Sequence, residues 1–308
     1  MLGAARLLGI SQSAVSQTIR QLEEQFGVAF LNRTNRPLSL TPFGLALRNR
    51  SDSLIENMAN LKAQVIDAGQ GIQPELRIGL VDSFALTCGT EFVKSLLDKS
   101  TRLTVRTGNS PFHGEILMRR EIDLAVCSDA MIDVDQVVRR RLFSERYLVI
   151  TPKDLQINVE SPDDLNRLST MLPIVRFYRS SQTGLQVDKF LRSIEVRVPK
   201  WLDVDSSKML TELVASGLGW AITTPMCLLQ AASSAKNVRP YYKVPLGISR
   251  SFYLIARKDE YNSYYEAACV SAYNVLRTVF LPGINSINSG LKQLVTFEEH
   301  KGNVSDGS

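Results

Sequence analysis

Five polar side chains near the start of this 308-residue chain could read a polymer. Gln12, Ser13, Ser16, Gln17 and Arg20 recur at spacings of one, three, one and three, which puts them on one face of a helix. Short hydroxyls near a helix N-terminus can approach base edges, and a glutamine amide can make paired bonds to adenine. Arg33 and Arg36 flank a polar tip, Asn32 to Pro37, and their cations suit phosphates. Residues 1–50 hold six arginines, no lysine and two glutamates, so this segment carries +4 of the chain's formal +5. The chemistry offered is recognition rather than bond-making. Only two histidines are present, His113 in a Pro-Phe-His-Gly turn and His300 near the end. No Ser-His-Asp arrangement, metal spacing or P-loop accompanies them, and Gly217-Leu218-Gly219 lacks the third glycine of a dinucleotide site. We therefore expect no enzyme, no cofactor and no metal site.

The polar face needs a scaffold, and the flanking residues supply one. Ser11 is a natural N-cap, and Val15, Ile19 and Leu22 form a buried stripe behind the polar face. Ala4, Ala5, Leu7 and Leu8 suggest a short supporting helix that Gly9 breaks, with Ile10 under the turn. Gly27 ends the reading helix. Val28, Phe30 and Leu31 then form a strand, and Leu38 and Leu40 begin its return. The pattern is a winged helix-turn-helix over residues 1–44, with double-stranded operator DNA as the partner.

Thr41 and Pro42 start a longer helix, expected over 42–68. Leu47, Ser51, Leu54, Met58, Leu61, Val65 and Ala68 alternate at four and three, a heptad seam that would pair two copies of the chain. Residues 69–74 read as a hinge. Beyond them strands and helices alternate in two sets, an α/β pattern expected to build mostly parallel sheets. We expect two lobes, the first from 75–152 and 251–283 and the second from 153–250. The chain would cross near Thr151 to Asp154 and return near Leu246 to Arg250. Residues 284–308 look like a disordered tail. Leu213 to Ala235 carries no charge, but its glycines, proline and hydroxyls break it, so no membrane span is expected. Cys88, Cys127, Cys227 and Cys269 form no close pair and read as buried thiols. With no signal peptide pattern, a cytoplasmic location is expected.

These residues resemble the LysR-type transcriptional regulators. The matching pieces are Ala4-Ala5, Leu8, Ile10-Ser11-Gln12-Ser13-Ala14-Val15-Ser16, Ile19, Leu22-Glu23, Gly27, Leu31, Arg33, Leu40-Thr41 and Gly44. The segment from Leu213 to Pro225 is similar to the family's second-lobe signature. The resemblance covers about residues 1–280. It implies a bacterial activator or repressor, a homodimer or homotetramer, with a periplasmic-binding-protein-like effector domain of two lobes. It also implies a further helix before Ala4, and the sequence is expected to lack about twenty residues there. Ala5, Leu8, Val15 and Ile19 would then be partly uncovered.

Ligands of such sheets sit beyond the carboxyl ends of strands, at helix N-termini. Ser83, Phe84, Ser128, Thr151, Phe177, Arg179 and Thr224 fall there by chain position. Ser83, Thr151 and Thr224 also match the family's cleft. Hydroxyls, helix-end amides and an arginine favour an anion, so the expected effector is a small organic acid. Arg176 or Arg179 could instead pair with Asp188 or Glu212. Two alternatives stand beside the regulator. One is a ligand-binding protein of the same fold without DNA binding. The other is a lyase, which would need an acid/base pair where the cleft offers only carboxylates and arginines.

Overall fold

A computed structural model describes residues 1–33, 38–48, 50–51, 75–179, 181–198, 200–258 and 262–297. The chain forms two compact units, residues 1–70 and 71–308.

In the first unit α1 (Leu2–Leu8) ends at Gly9, whose φ of 68° suits glycine, and α2 (Gln12–Phe26) begins at once. Ser11 caps α2 by accepting the Ala14 amide at 3.1 Å. Gly27, with φ 66°, closes the helix. A two-residue hairpin follows, β1 (Leu31–Asn32) against β2 (Ser39–Leu40), in antiparallel register. Thr41 then accepts the Gly44 amide and starts a helix over residues 42–48 and 50–51. Ala5, Val15 and Phe30 are buried. Two of the four positions expected to be uncovered, Ala5 and Val15, are thus covered, while Leu8 is 67% exposed and Ile19 half-buried. Arg36 and the seam from Leu54 onward, with the 69–74 hinge, lie outside the described residues.

In the second unit β3 (Glu75–Val81) leads through helical turns at 82–89 into α3 (Thr90–Leu97). Then come β4 (Arg102–Gly108), α4 (Ser110–Met118), β5 (Leu124–Cys127) and the long β6 (Val137–Arg146). The next run is β7 (Leu148–Pro152), α5 (Asp164–Met171), β8 (Ile174–Phe177), α6 (Gln182–Ser193) and β9 (Trp201–Val204). It continues with α7 (Ser207–Ala215), β10 (Ala221–Thr223), α8 (Pro225–Gln230), α9 (Ala232–Ala235) and β11 (Val238–Tyr241). The chain then passes through β12 (Ser249–Arg257) into α10 (Asn262–Val275), π turns at 276–280 and α11 (Leu281–Ile287). A 3₁₀ turn (Ser289–Leu294) and β13 (Val295–Phe297) complete the described chain.

Two sheets give two lobes. The first has the order β13-β6-β12-β5-β3-β4. Its β3 runs parallel to β4 and β5, but β12 is antiparallel to β5 and β6, and β13 to β6. The sheet is therefore mixed rather than mostly parallel. The second lobe has β10-β7-β11 and the parallel pair β8-β9, joined by a bridge from Ile174 to Trp220. Because β7 pairs with β10 and β11, it belongs wholly to the second lobe. The outward crossing is thus at Tyr147, between the ends of β6 and β7, and not near Thr151. The return lies between Tyr241 and Ser249. The Tyr147 amide donates to the Ile248 carbonyl at 3.2 Å and ties the two crossings together.

The end of the chain also departs from expectation. Residues 284–297 are ordered as helix, turn and edge strand, with Ile284, Leu291 and Leu294 buried. Residues 298–308 lie outside the described residues. The run 264–287 is long and apolar enough to cross a membrane by length and composition. Here it is a core helix: Tyr265, Ala268, Cys269, Ala272, Leu276, Phe280 and Ile284 are buried in one cluster. Leu213 to Ala235 resolves into the end of α7, β10, α8 and α9, as its breakers suggest. His113 lies inside α4, fully buried, rather than in a turn.

Candidate functional site

In the first unit the α2 face stands as the spacing predicts. Gln12, Ser13, Gln17 and Arg20 are exposed and Ser16 is half-buried. Ser13 Oγ lies 2.8 Å from Ser11 Oγ, so it also belongs to the cap. The sequence reading missed what holds the wing. Glu23, seven residues after Ser16 and so nearly in line with it on α2, accepts the Phe30 amide at 2.8 Å and the Leu31 amide at 3.2 Å through one oxygen. Its other oxygen accepts Arg33 Nη2 at 2.6 Å. The Phe30 amide is the largest cause of a Glu23 pKa below the ordinary carboxyl value, with the Leu31 amide and Arg33 acting the same way against some desolvation. Arg33 is therefore a strut of the wing as well as a cation. Thr41 adds a second tie, its hydroxyl donating to the Ala29 carbonyl at 2.6 Å. The one available signal was a carboxylate at Glu23, a helical turn after Arg20 and ten residues before Arg33.

In the second unit the lobes meet at a polar cluster. Ser128, at the end of β5, gives its amide to Ser110 Oγ at 2.9 Å, at the start of α4. Its own hydroxyl reaches Gln182 Oε1 of the second lobe at 3.1 Å, at the start of α6. Arg250, first-lobe side of the return crossing, donates to Thr183 Oγ1 at 3.3 Å, also at the start of α6. It further donates to Thr224 Oγ1 at 2.8 Å, the N-cap of α8. The N-termini of α4, α6 and α8 thus converge, and each contributes partial positive charge. Glu145 balances Arg250. These two residues sit opposite each other in the β6–β12 register. Glu145 accepts Arg250 Nε at 2.8 Å and the Met226 amide at 2.9 Å, and it is fully buried. Arg250 is 8% exposed and stacks over Phe252 at 4.8 Å. Nearby Tyr147 donates to Gln186 Oε1 at 2.6 Å, and burial pushes its phenol up to about 12. Gln230 of the second lobe donates to the Asp82 carbonyl at 3.2 Å, a further inter-lobe tie.

Of the seven residues expected at the cleft, Ser83 and Ser128 stand at strand ends in the first lobe, both half-buried. Thr224 is at the cluster, but it is fully buried with its hydroxyl occupied by the Cys227 amide and Arg250. The other four expected residues lie elsewhere. Phe84 and Phe177 point into the core, Phe84 edge-on to Phe92 at 5.5 Å. Thr151 sits at the far end of the second-lobe sheet. β7 is antiparallel to β10, and Thr223 pairs with Leu148, so Thr151 lies about 10 Å from that end. Arg179 pairs with Asp188 at 2.9 Å, and Arg176 with Asp188 and Asp203, which is the structural alternative. Gln182, Thr183, Glu145 and Arg250 were missed, because no local pattern marks a partner a hundred residues away.

The four cysteines are free and buried. Burial raises Cys88 to about 12 and Cys269 to about 11, which leaves little thiolate at neutral pH. Among the described residues no group of three or more His, Cys, Asp and Glu is placed to hold a metal.

A helix-turn-helix head followed by a two-lobed ligand domain defines a class, the effector-controlled transcription regulators. Residues 1–45 match the family described as bacterial regulatory helix-turn-helix protein, lysR family, and residues 69–273 match the LysR substrate binding domain. The chain belongs to the LysR family of transcriptional regulators. It is 27% identical over 243 residues to the HTH-type transcriptional regulator BbuR of Bordetella bronchiseptica, covering 76% of this chain and 72% of that one. Full-length BenM has a similar fold, with TM-score 0.54, 20% identity, and 90% and 91% of the two chains covered. So does full-length LysG of Corynebacterium glutamicum, solved with bound effector Arg, with TM-score 0.53, 22% identity, and 88% and 92% covered. The protein is thus a LysR-type DNA-binding regulator with an effector-binding domain.

Proposed function

We propose that the inter-lobe cluster binds a small carboxylate-bearing effector, and that its occupancy controls how the head engages an operator. The convergence of three helix N-termini carries this reading. Helix dipoles at α4, α6 and α8 favour an anion, and Arg250 adds a guanidinium that pairs with Glu145. Ser83, Ser128 and Gln182 are the side chains proposed to touch the ligand. Gln12, Ser13, Ser16, Gln17 and Arg20 are proposed to meet DNA, with Arg33 and Arg36 toward phosphates. The effector would draw the lobes together about the crossings and change the spacing of two reading heads in an oligomer.

Thermal shift of the full chain against matched small carboxylates, alcohols and amines tests the ligand class. Carboxylates are expected to raise the melting temperature, and Ser128→Ala with Gln182→Ala to weaken that rise. No response to any carboxylate, or a response unchanged in both variants, would sink the assignment.

A further inference from the structure

Both crossings between the lobes are held from one flank by residues 289–297. β13 adds to the outer edge of β6, with Val295 opposite Glu145, Thr296 opposite Ser144 and Phe297 opposite Phe143. These three β6 residues come immediately before Arg146 and the outward crossing. Arg146, the final residue of β6, donates from Nη2 to the Gln293 carbonyl at 2.8 Å. On the return crossing the Tyr242 ring lies flat on the 3₁₀ turn at Gly290. A Cβ at 290 would overlap the Tyr242 ring, so this packing requires glycine. Leu291 and Leu294 anchor the turn in the core. A cavity of about 230 Å³ lies beside these strands, lined among others by Arg146, Ser249, Thr296 and Phe297. Residues 289–297 therefore grip the hinge at two points, Arg146 and Tyr242.

We propose that residues 289–297 are a brace that sets the resting angle of the two lobes. Rotation about Tyr147 and 242–248 would shear the Tyr242–Gly290 and Arg146–Gln293 contacts together. Loosening the brace frees that rotation. The proposal rests on the reading above that the lobes move about these crossings. Its test uses neither effector nor DNA, so its outcome is independent of the ligand class.

Spin labels at Asp98→Cys in the first lobe and Lys189→Cys in the second, both exposed positions, report the inter-lobe distance in the full chain. The native cysteines are buried and take no label under native conditions. With the doubly labelled chain diluted in excess unlabelled chain, pulsed dipolar spectroscopy is expected to give one narrow population in the parent. Gly290→Val should broaden or shift it, and Arg146→Ala should do so by less. Circular dichroism confirms that each variant is folded. If Gly290→Val does not fold, Arg146→Ala decides alone. Distance distributions that superpose on the parent in every folded variant would overturn the proposal.

Discussion

The head and the effector unit do their work with opposite resources. In the head only Ala5, Val15 and Phe30 are buried apolar residues among those described, while Leu2, Leu7, Leu8, Phe26 and Phe43 are more than half exposed. Its shape depends on polar pins, Glu23 to the wing and Thr41 to the hairpin, and its reading face is all surface. The effector unit has a dense core, with stacked Phe143 and Phe252 at 4.7 Å, and its polar cluster is sunk between the lobes. A surface site can be altered without unfolding its support. A buried polar site is part of its own support, so changing it risks both.

That contrast sets the expected sizes of effect. Glu145→Ala leaves the buried Arg250 without its carboxylate and frees the Met226 amide. A loss of about 3–5 kcal/mol is expected in chemical unfolding of the effector unit. A loss below about 1 kcal/mol would place the pair on the surface side of the comparison. In the head, Gly44→Ala would drive a Cβ into the Phe30 carbonyl. It should cost about 1–3 kcal/mol and be seen as local exchange of head amides with the effector unit unmoved.

A smaller effect follows from His113. Burial disfavours its imidazolium and lowers its pKa below the ordinary 6.5, outweighing the opposing pull of the Arg106 backbone and Asp82. The unfolded chain therefore takes the proton first. The stability tied to the neutral ring is full above about pH 6.5 and is lost as pH falls toward the depressed value. The melting temperature of the effector unit should fall between about pH 7 and pH 5, and His113→Leu should flatten that fall. An unchanged pH profile in the variant would assign the fall elsewhere. The smallest effect is Glu23→Gln. Its depressed pKa means the pin is complete above the ordinary carboxyl value and lost as pH falls through the folded one. A neutral acceptor is weaker, so faster exchange is expected at the Phe30 and Leu31 amides, with α2 itself unchanged.

The two units were also unequally legible. The reading face follows from spacing alone, because a helix repeats every 3.6 residues and Ser11, Gly9 and Gly27 mark its ends. Most effector-unit strands were visible for the same local reason. Their pairing was not. Whether Leu148–Pro152 joins one sheet or the other depends on partners at 221–223 and 238–241, so the crossing was misplaced and Thr151 with it. Phe84 and Phe177 sit at strand ends like ligand residues, but apolar rings there turn into the core. The polar composition after Pro282 hid a strand that is stable only because β6 offers an edge.

The central claim is that the exposed α2 face reads DNA. Titration of the full chain against salt, on duplex from upstream of its own coding sequence, tests it most directly. The account predicts affinity that falls steeply with salt, a slope shallower by about one for Arg20→Ala, and a lower affinity for Gln17→Ala at unchanged slope. Equal slopes and affinities for the parent and both variants would contradict it.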